Sequence, residues 1–183
     1  MIPDHELVAH ARQGDTDAFC ALLERHRMVA LRVGYTIAGG EAEDAVQEAM
    51  VKAFRHLGRF RPDAAFRPWF LAIVANEARN RRRSSGRQDA VSLRLRAQAG
   101  PEASAWERSA EDGALAHEQR DRLLAAVAAL SDRDREIVAL RYFAGLTEAE
   151  TGIALACPVG TVKSRLSRAV DRLRDTLCEE VTT

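Results

Sequence analysis

The chain has 183 residues, enough for one ordinary domain or two small ones, and its 27 basic and 27 acidic residues cancel to a formal net charge of zero. Three isolated cysteines, Cys20, Cys157 and Cys178, exclude a C-x-x-C zinc site and a disulfide framework, and the scattered histidines give no metal spacing. The opening "MIPDHELVAH" lacks a basic and an apolar signal region, and no apolar run approaches membrane-spanning length. The expectation is a cytoplasmic protein with no metal, no cofactor and no membrane insertion.

Helix-type periodicity dominates and strand alternation is absent. "GDTDAFCALLERHRMVALRVGYTIAG" starts at the cap candidates Asp15 and Thr16 and stops at Gly39 and Gly40. "EAEDAVQEAMVKAFRHL" places Ala45, Val46, Ala49, Met50, Ala53, Phe54 and Leu57 on one face. Gly58 and Pro62 break the pattern, and a further helix runs from about Phe66 into an arginine cluster. The stretch "SSGRQDAVSLRLRAQAGPEASAWERSAEDG" carries too little apolar surface to order itself, and reads as a linker with Trp106 as its one large apolar group.

Helical patterns resume at about Ala114. "SDRDREIVALRYFAG" has Ser131 and Gly145 as start and stop, and "TEAETGIAL" opens with Thr147 and Glu150 at capping-box spacing. In "CPVGTVKSRLSRAVDRL", Val162, Leu166, Val170 and Leu173 line one face, while Lys163, Ser164, Ser167, Arg168 and Asp171 point away. The fold class is therefore all-α: a first module over 1–88, a flexible linker over 89–112, and a helix-turn-helix module over 113–183.

The net charge conceals local blocks. Arg79, Arg81, Arg82, Arg83, Arg87, Arg94 and Arg96 face one acid, Asp89, between 79 and 96. In a helix-turn-helix the second helix enters the major groove. Thr161, Lys163, Ser164, Ser167 and Arg168 supply short donors and cationic reach for mixed base and phosphate contact, with Arg165 at the edge of that face, nearer phosphate. A solvated bundle face is the alternative, and the Glu–Lys ladder that would favour it is missing.

Asp44, Gln47 and Glu48 form one patch at i, i+3 and i+4, opposite an apolar stripe; a merely solvated acidic face is the alternative. On the helix from Phe66, the apolar Phe66, Trp69, Phe70, Ile73 and Val74 give way to Asn76, Asn80 and Arg83, with Arg79 beside them. Trp69 and Phe70 read as core rather than as base-stacking groups. Unpaired bases need such pockets together with a basic track. An enzyme acting on nucleic acid would need a carboxylate cluster or a nucleophile–base pair, and neither is present; no catalytic residue is assigned.

"LSDRDREIVALRYFAGLTEAETGIALACPVGTVKSRLSRAVDRL" resembles the −35-binding module of bacterial sigma-70 family factors, in the small extracytoplasmic-function (ECF) group. "EDAVQEAMVKAF" resembles the family's core-polymerase-binding helix, and "FRPDAAFRPWFLAIVANEARNRRRSSGR" its −10 segment. The resemblance spans roughly residues 5–88 and 113–178. It implies a non-enzymatic RNA polymerase sigma factor whose Asp44, Gln47 and Glu48 meet core polymerase. It implies −10 contacts from Arg61, Asp63, Asn76, Arg79, Asn80 and Arg83, the loop "RFRPDAA" holding a flipped base. It implies −35 contacts from Arg141, Thr161, Lys163, Ser164, Arg165, Ser167 and Arg168. Partners implied are core RNA polymerase, promoter DNA and an anti-sigma protein. The alternative is a free-standing duplex-binding regulator using the helix-turn-helix alone. Family members usually carry Ile-Ala where this chain has Thr151 and Gly152, and a turn Gly where it has Ala156. The reading predicts a helix weakened by roughly 1 kcal/mol through Gly152, with a smaller apolar plug at Thr151.

Overall fold

The computed structural model describes residues 2–61, 64–92 and 114–179, which are helical with no strand. Helices α1 (Asp4–Arg12), α2 (Thr16–Ala38), α3 (Ala42–His56) and α4 (Phe66–Ser92) build the first module. Helices α5 (Ala114–Ala129), α6 (Asp132–Val138), α7 (Glu148–Ala154) and α8 (Val159–Glu179) build the second. Helix α4 continues past the arginine cluster into the stretch read as linker; the rest of that stretch, 93–113 with Trp106, lies outside the described residues.

The long α2 is the post of the first module. The Asp15 side chain accepts a hydrogen bond from the Ala18 amide at 2.9 Å, satisfying an orphan donor of the first turn. The helix stops at Gly39, whose φ of +58° only glycine adopts without strain. Leu22, Ala30, Val33 and Ile37 are fully buried along it. Helix α3 approaches closely because its inner face is nearly all small: Ala42, Ala45, Ala49 and Ala53 are completely buried. Phe54, expected on that inner face, is 54% exposed and meets Phe19 at a tilt of 55°, because the alanine seam leaves no room for a ring. Helix α4 closes the core with Phe66, Phe70, Leu71, Val74 and Ala78. Trp69 packs against Phe60 and Phe66, at centroid distances of 4.9 and 5.5 Å, so the pair Trp69 and Phe70 belongs to the core. Helix α1 is pinned to α2 by Asp4, which accepts hydrogen bonds from Arg25 at 2.5 Å and from the buried His26 at 2.7 Å.

In the second module Ser131 caps α6 through the Asp134 amide. The helix does not continue regularly to Gly145: residues Ala139–Phe143 form a π turn. Such a bulge rotates the side chains that follow. Val138 stays in a small core with Val127, Leu130 and Ala169, whereas Ala139 and Leu140 turn outward. Thr147 and Glu150 form the complete capping box on α7.

Gly152 departs from the expectation of a weakened helix. A Cβ there would lie 2.9 Å from the Cys157 carbonyl oxygen, and the Cys157 amide donates to the Gly152 carbonyl at 2.9 Å. The glycine lets the turn fold back onto α7, so its absent side chain is a requirement of the turn. Ala156 takes φ +49°, a left-handed conformation that costs an alanine about 1–2 kcal/mol. Thr151 is fully buried and its hydroxyl has no hydrogen-bond partner, so the weaker plug expected there stands on an unpaired polar atom.

The two modules are docked. Ala139, Leu140, Ala144 and Leu146 belong to the same apolar cluster as α1–α4, with Ala154 and Leu155 packed at its edge. Fully burying two leucines supplies about 1.5–3 kcal/mol each. Around this seam, Arg67 donates to the Ala144 carbonyl. Arg135, 1% exposed, donates to the carbonyls of Val127, Ala128 and Leu130 at the end of α5 and to Ile37 at the end of α2. A guanidinium thus satisfies orphan carbonyls at the negative ends of two helices from different modules. Arg82 of α4 donates to the same Ile37 carbonyl at 3.3 Å.

Candidate nucleic-acid interface

Helix α8 carries the first candidate face. Val162 and Ala169 are buried, and Leu166, Val170 and Leu173 half-buried on the inner side. Lys163, Ser164, Ser167 and Arg168 are exposed on the outer side, with Thr161 and Arg165 half-buried at its rims. The Ser164 hydroxyl donates to the Thr161 carbonyl at 3.2 Å and Arg168 Nε to the Ser164 carbonyl at 3.1 Å, which steadies the row along one helical face. Lys163 lies 3.6 Å from Glu148 of α7. Arg141 sits in the π turn, half-buried, and donates to the Leu146 carbonyl at 3.1 Å, at the entrance to the helix-turn-helix. Tyr142, 58% exposed, lines a shallow groove with Lys163 and Ser167; it follows Arg141 in sequence and could have been picked out only from the π rotation.

The second candidate face lies on α4. Asn76 and Asn80 are exposed one turn apart. Between them Arg79 donates to Asn76 Oδ1 at 2.6 Å and reaches across the module seam to Glu136, donating to Oε2 at 3.2 Å. Arg82 and Arg83 each place Nε 3.5 Å from the carboxylate of Asp132. Glu136 is 3% exposed, and burial pushes its carboxyl above the usual range; Arg79 opposes that shift. Arg61 is exposed in the loop before α4, and Asp63 lies outside the described residues. Beside that loop a cavity of about 250 Å³ is lined by Asp4, His5, Phe60, Phe66, Arg67 and, from α7, Glu150.

The third patch is on α3. Asp44 and Gln47 are exposed and Glu48 half-buried on the solvent side. Arg81 of α4 donates to Asp44 at 2.9 Å and stands 3.7 Å from Glu41. Lys52 bonds the buried Glu77 at 2.6 Å and lies 3.7 Å from Glu48; the bond to Glu77 holds its amine above the ordinary lysine value. The structure therefore gathers the predicted residues into three separate faces. It also shows that Arg79, Arg81, Arg82 and Arg83 of α4 have carboxylate partners within the chain. Asp132, Arg135 and Glu136 were missed by sequence reasoning, since a D-R-D-R-E run looks like any solvated helix. No group of residues able to hold a metal ion occurs among the described residues.

The two modules each match a known domain: residues 22–88 match sigma-70 region 2, and residues 120–173 match sigma-70 region 4. A two-module helical protein with these regions in this order is a transcription-initiation factor of bacteria, and the chain belongs to the sigma-70 family. It is similar to the RNA polymerase sigma-H factor of Pseudomonas aeruginosa, 34% identical over 172 residues, 91% of this chain and 89% of that protein. It is equally similar to the ECF RNA polymerase sigma-E factor of Escherichia coli, 34% identical over 176 residues, 92% of this chain and 91% of that one. Among solved structures, the sigma factor RpoE from Bartonella quintana, in complex with the anti-sigma factor NepR, shares the fold. Its TM-score is 0.63 at 25% identity, over 84% of this chain and 94% of that one. CnrH in complex with the cytosolic domain of CnrY shows the same fold at a TM-score of 0.72 and 24% identity, over 96% of this chain and 97% of that one. The protein is an ECF-group RNA polymerase sigma factor, and the reading as a free-standing regulator falls away.

Proposed function

We propose that this sigma factor divides its work among the three faces. Asp44, Gln47 and Glu48 on α3 dock on core RNA polymerase. Thr161, Lys163, Ser164, Ser167 and Arg168 on α8, flanked by Arg141 and Arg165, read the duplex −35 element. Asn76, Arg79, Asn80 and Arg83 on α4, with Arg61 and Asp63 of the preceding loop, hold the unpaired −10 strand. One observation supports the assignment of the DNA faces. Each is a row of hydrogen-bonding and cationic side chains on the outer side of a helix whose inner side is core. Short donors beside long cations suit both base edges and phosphates.

The protein itself catalyses no reaction in this reading. Promoter melting is driven by differential binding, because capture of unpaired bases favours the open state. Among the described residues no helix is long and apolar enough to cross a membrane, in keeping with work beside polymerase in the cytoplasm. NepR and CnrY stand in complex with the similar factors, which supports an anti-sigma protein as a further partner here.

The test is co-elution with purified core RNA polymerase, comparing the wild type with Asp44→Arg/Glu48→Arg. Both positions lie on the solvent side of α3, and circular dichroism checks that the variant keeps its helices. Wild type co-elutes in stoichiometric amount and the reversal does not. Equal co-elution of the two would remove the α3 patch from the polymerase interface.

A further inference from the structure

Helix α8 offers DNA two flanks, and the chain charges them differently. A helix about 10–12 Å across fills a major groove about 12 Å wide, so each flank of α8 lies beside one phosphate strand. At about 100° per residue, Arg165 and Arg168 fall on one flank and Lys163 and Arg174 on the other. Arg165 and Arg168 have no carboxylate within ion-pair distance among the described residues. On the second flank a shallow groove separates α8 from the π turn and the start of α7, and each of its cations stands beside an acid. Lys163 is 3.6 Å from Glu148 of α7, and Arg174 is 3.5 Å from Asp171 of its own helix. The first pair bears on sequence reading, because Lys163 lies in the N-terminal half of α8, where a recognition helix meets base edges. A lysine ammonium is a point charge with three donors and no fixed direction. Left alone it settles on a phosphate, which is charged and carries no sequence information. A phosphate that takes Lys163 must approach the Glu148 carboxylate, and like charges at that range repel. The guanine acceptors O6 and N7 carry no net charge, so Lys163 reaches them with Glu148 still alongside. The pair therefore opposes phosphate contact more than base contact.

We propose that Glu148 is a positioning residue for −35 reading: it holds the Lys163 ammonium beside α7, keeps that lysine off the phosphate strand, and leaves it to the guanine acceptors of a base edge. This rests on the assignment of α8 to the −35 duplex. Affinity for DNA at large is lower for the presence of Glu148, and the gap between the right duplex and a wrong one is wider. The stronger phosphate grip belongs to the opposite flank. Both partners of the pair are solvent-accessible, at 63% and 36%, so the effect has the size of an exposed ion pair, about two- to fivefold in binding.

The test uses the full-length factor reconstituted with purified core polymerase. A duplex that the wild type selects from a randomised pool is compared with the same duplex scrambled over its upstream element, each titrated at several salt concentrations. E148Q is expected to tighten the scrambled duplex about two- to fivefold and to leave the selected one nearly unchanged. The salt slope on the scrambled duplex steepens by about 0.9, the value for one added phosphate contact. E148D, which keeps the charge at the start of α7, keeps the wild-type ratio of the two affinities. K163M separates steering from general repulsion of DNA by Glu148. With no ammonium to steer, adding E148Q shifts both duplexes alike and leaves their ratio where K163M put it. An unchanged ratio in E148Q would overturn the proposal, as would an equal change of ratio with and without Lys163. The assignment of α8 is read separately, from R168A: a several-fold weaker hold on the selected duplex supports it. If R168A binds both duplexes as the wild type does, the α8 assignment goes, and the positioning role of Glu148 with it.

Discussion

The helices α4 and α8 carry the same kind of outer face, yet the molecule treats them differently. On α8, Lys163, Ser164, Ser167 and Arg168 face solvent, and among the described residues only Lys163 of these has a carboxylate within ion-pair distance, Glu148 at 3.6 Å. On α4, Arg79, Arg81, Arg82 and Arg83 all have carboxylate neighbours, three of them from α6 of the other module. The difference follows from where each helix sits. Helix α8 is the outermost layer of its module, packed only by its inner stripe. Helix α4 lies at the seam, where the π turn sends Ala139 and Leu140 into the first module's core and brings α6 alongside. A basic cluster in a sequence thus has no fixed state of engagement; its partner can be another part of the chain.

Several substitutions break or sharpen this contrast. The largest effect belongs to Arg135→Met. It strips charged hydrogen bonds from the carbonyls of Val127, Ala128 and Leu130, and from Ile37 across the seam. Buried carbonyls left unpaired cost about 1–3 kcal/mol each, so the loss is about 3 kcal/mol or more by urea denaturation. If Arg135 held only its own module, the first module's amides would keep their hydrogen-exchange protection. The account instead expects the end of α2 to lose protection as well.

Next is Gly152→Ala, which acts on the α8 side alone. Helix propensity by itself favours alanine by about 1 kcal/mol. The new Cβ meets the Cys157 carbonyl at 2.9 Å, and forced repacking of this kind costs about 1–3 kcal/mol. The expected net result is destabilisation of about 1 kcal/mol, read as a lower unfolding midpoint. A raised midpoint would return Gly152 to a simple weak spot. Ala156→Gly acts in the opposite sense. Relief of φ +49° outweighs the extra unfolded-state freedom of glycine, for a gain of about 0.5–1 kcal/mol.

The smallest effect is a pH dependence confined to the first module. Burial pushes the Asp4 carboxyl up, but the hydrogen bonds from Arg25 and His26 outweigh it and hold the group below its ordinary value of 3.8. A carboxylate with a depressed folded-state pKa stabilises in full above the unfolded value and loses that contribution as pH falls through the folded one. Docking of α1 is therefore constant above about pH 4 and weakens below it. Asp4→Asn removes the slope. An acid transition of the same shape in Asp4→Asn would place the titrating group elsewhere.

Much of this fold was legible because the signals are local. Asp15, Ser131 and the Thr147–Glu150 box each cap a helix through groups no more than three residues away, and the apolar stripes of α2 and α8 are periodic on their own. The residues of the three faces were legible for the same reason: they are what remains when the buried stripe is subtracted. The closed seam was not. It depends on Arg79 meeting Glu136 across 57 positions and on Arg135 meeting Ile37 across 98, and neither pairing leaves a trace in spacing. Phe54 failed for a related reason, since its position fits the stripe while the alanine seam beside it excludes a ring. Gly152 was misread because propensity speaks for the helix, whereas the glycine serves the turn beyond it.

The central claim is that the free factor is one closed body, with Arg79, Arg82 and Arg83 of α4 paired to carboxylates across the seam and the outer row of α8 open to solvent. Small-angle X-ray scattering of the full-length chain, alone and dilute, tests it most directly. A compact chain of 183 residues has a radius of gyration of about 16 Å, and the account predicts about 16–18 Å. Two undocked modules of similar size, held tens of ångströms apart, would give a value above about 20 Å, and that result would contradict the closed seam.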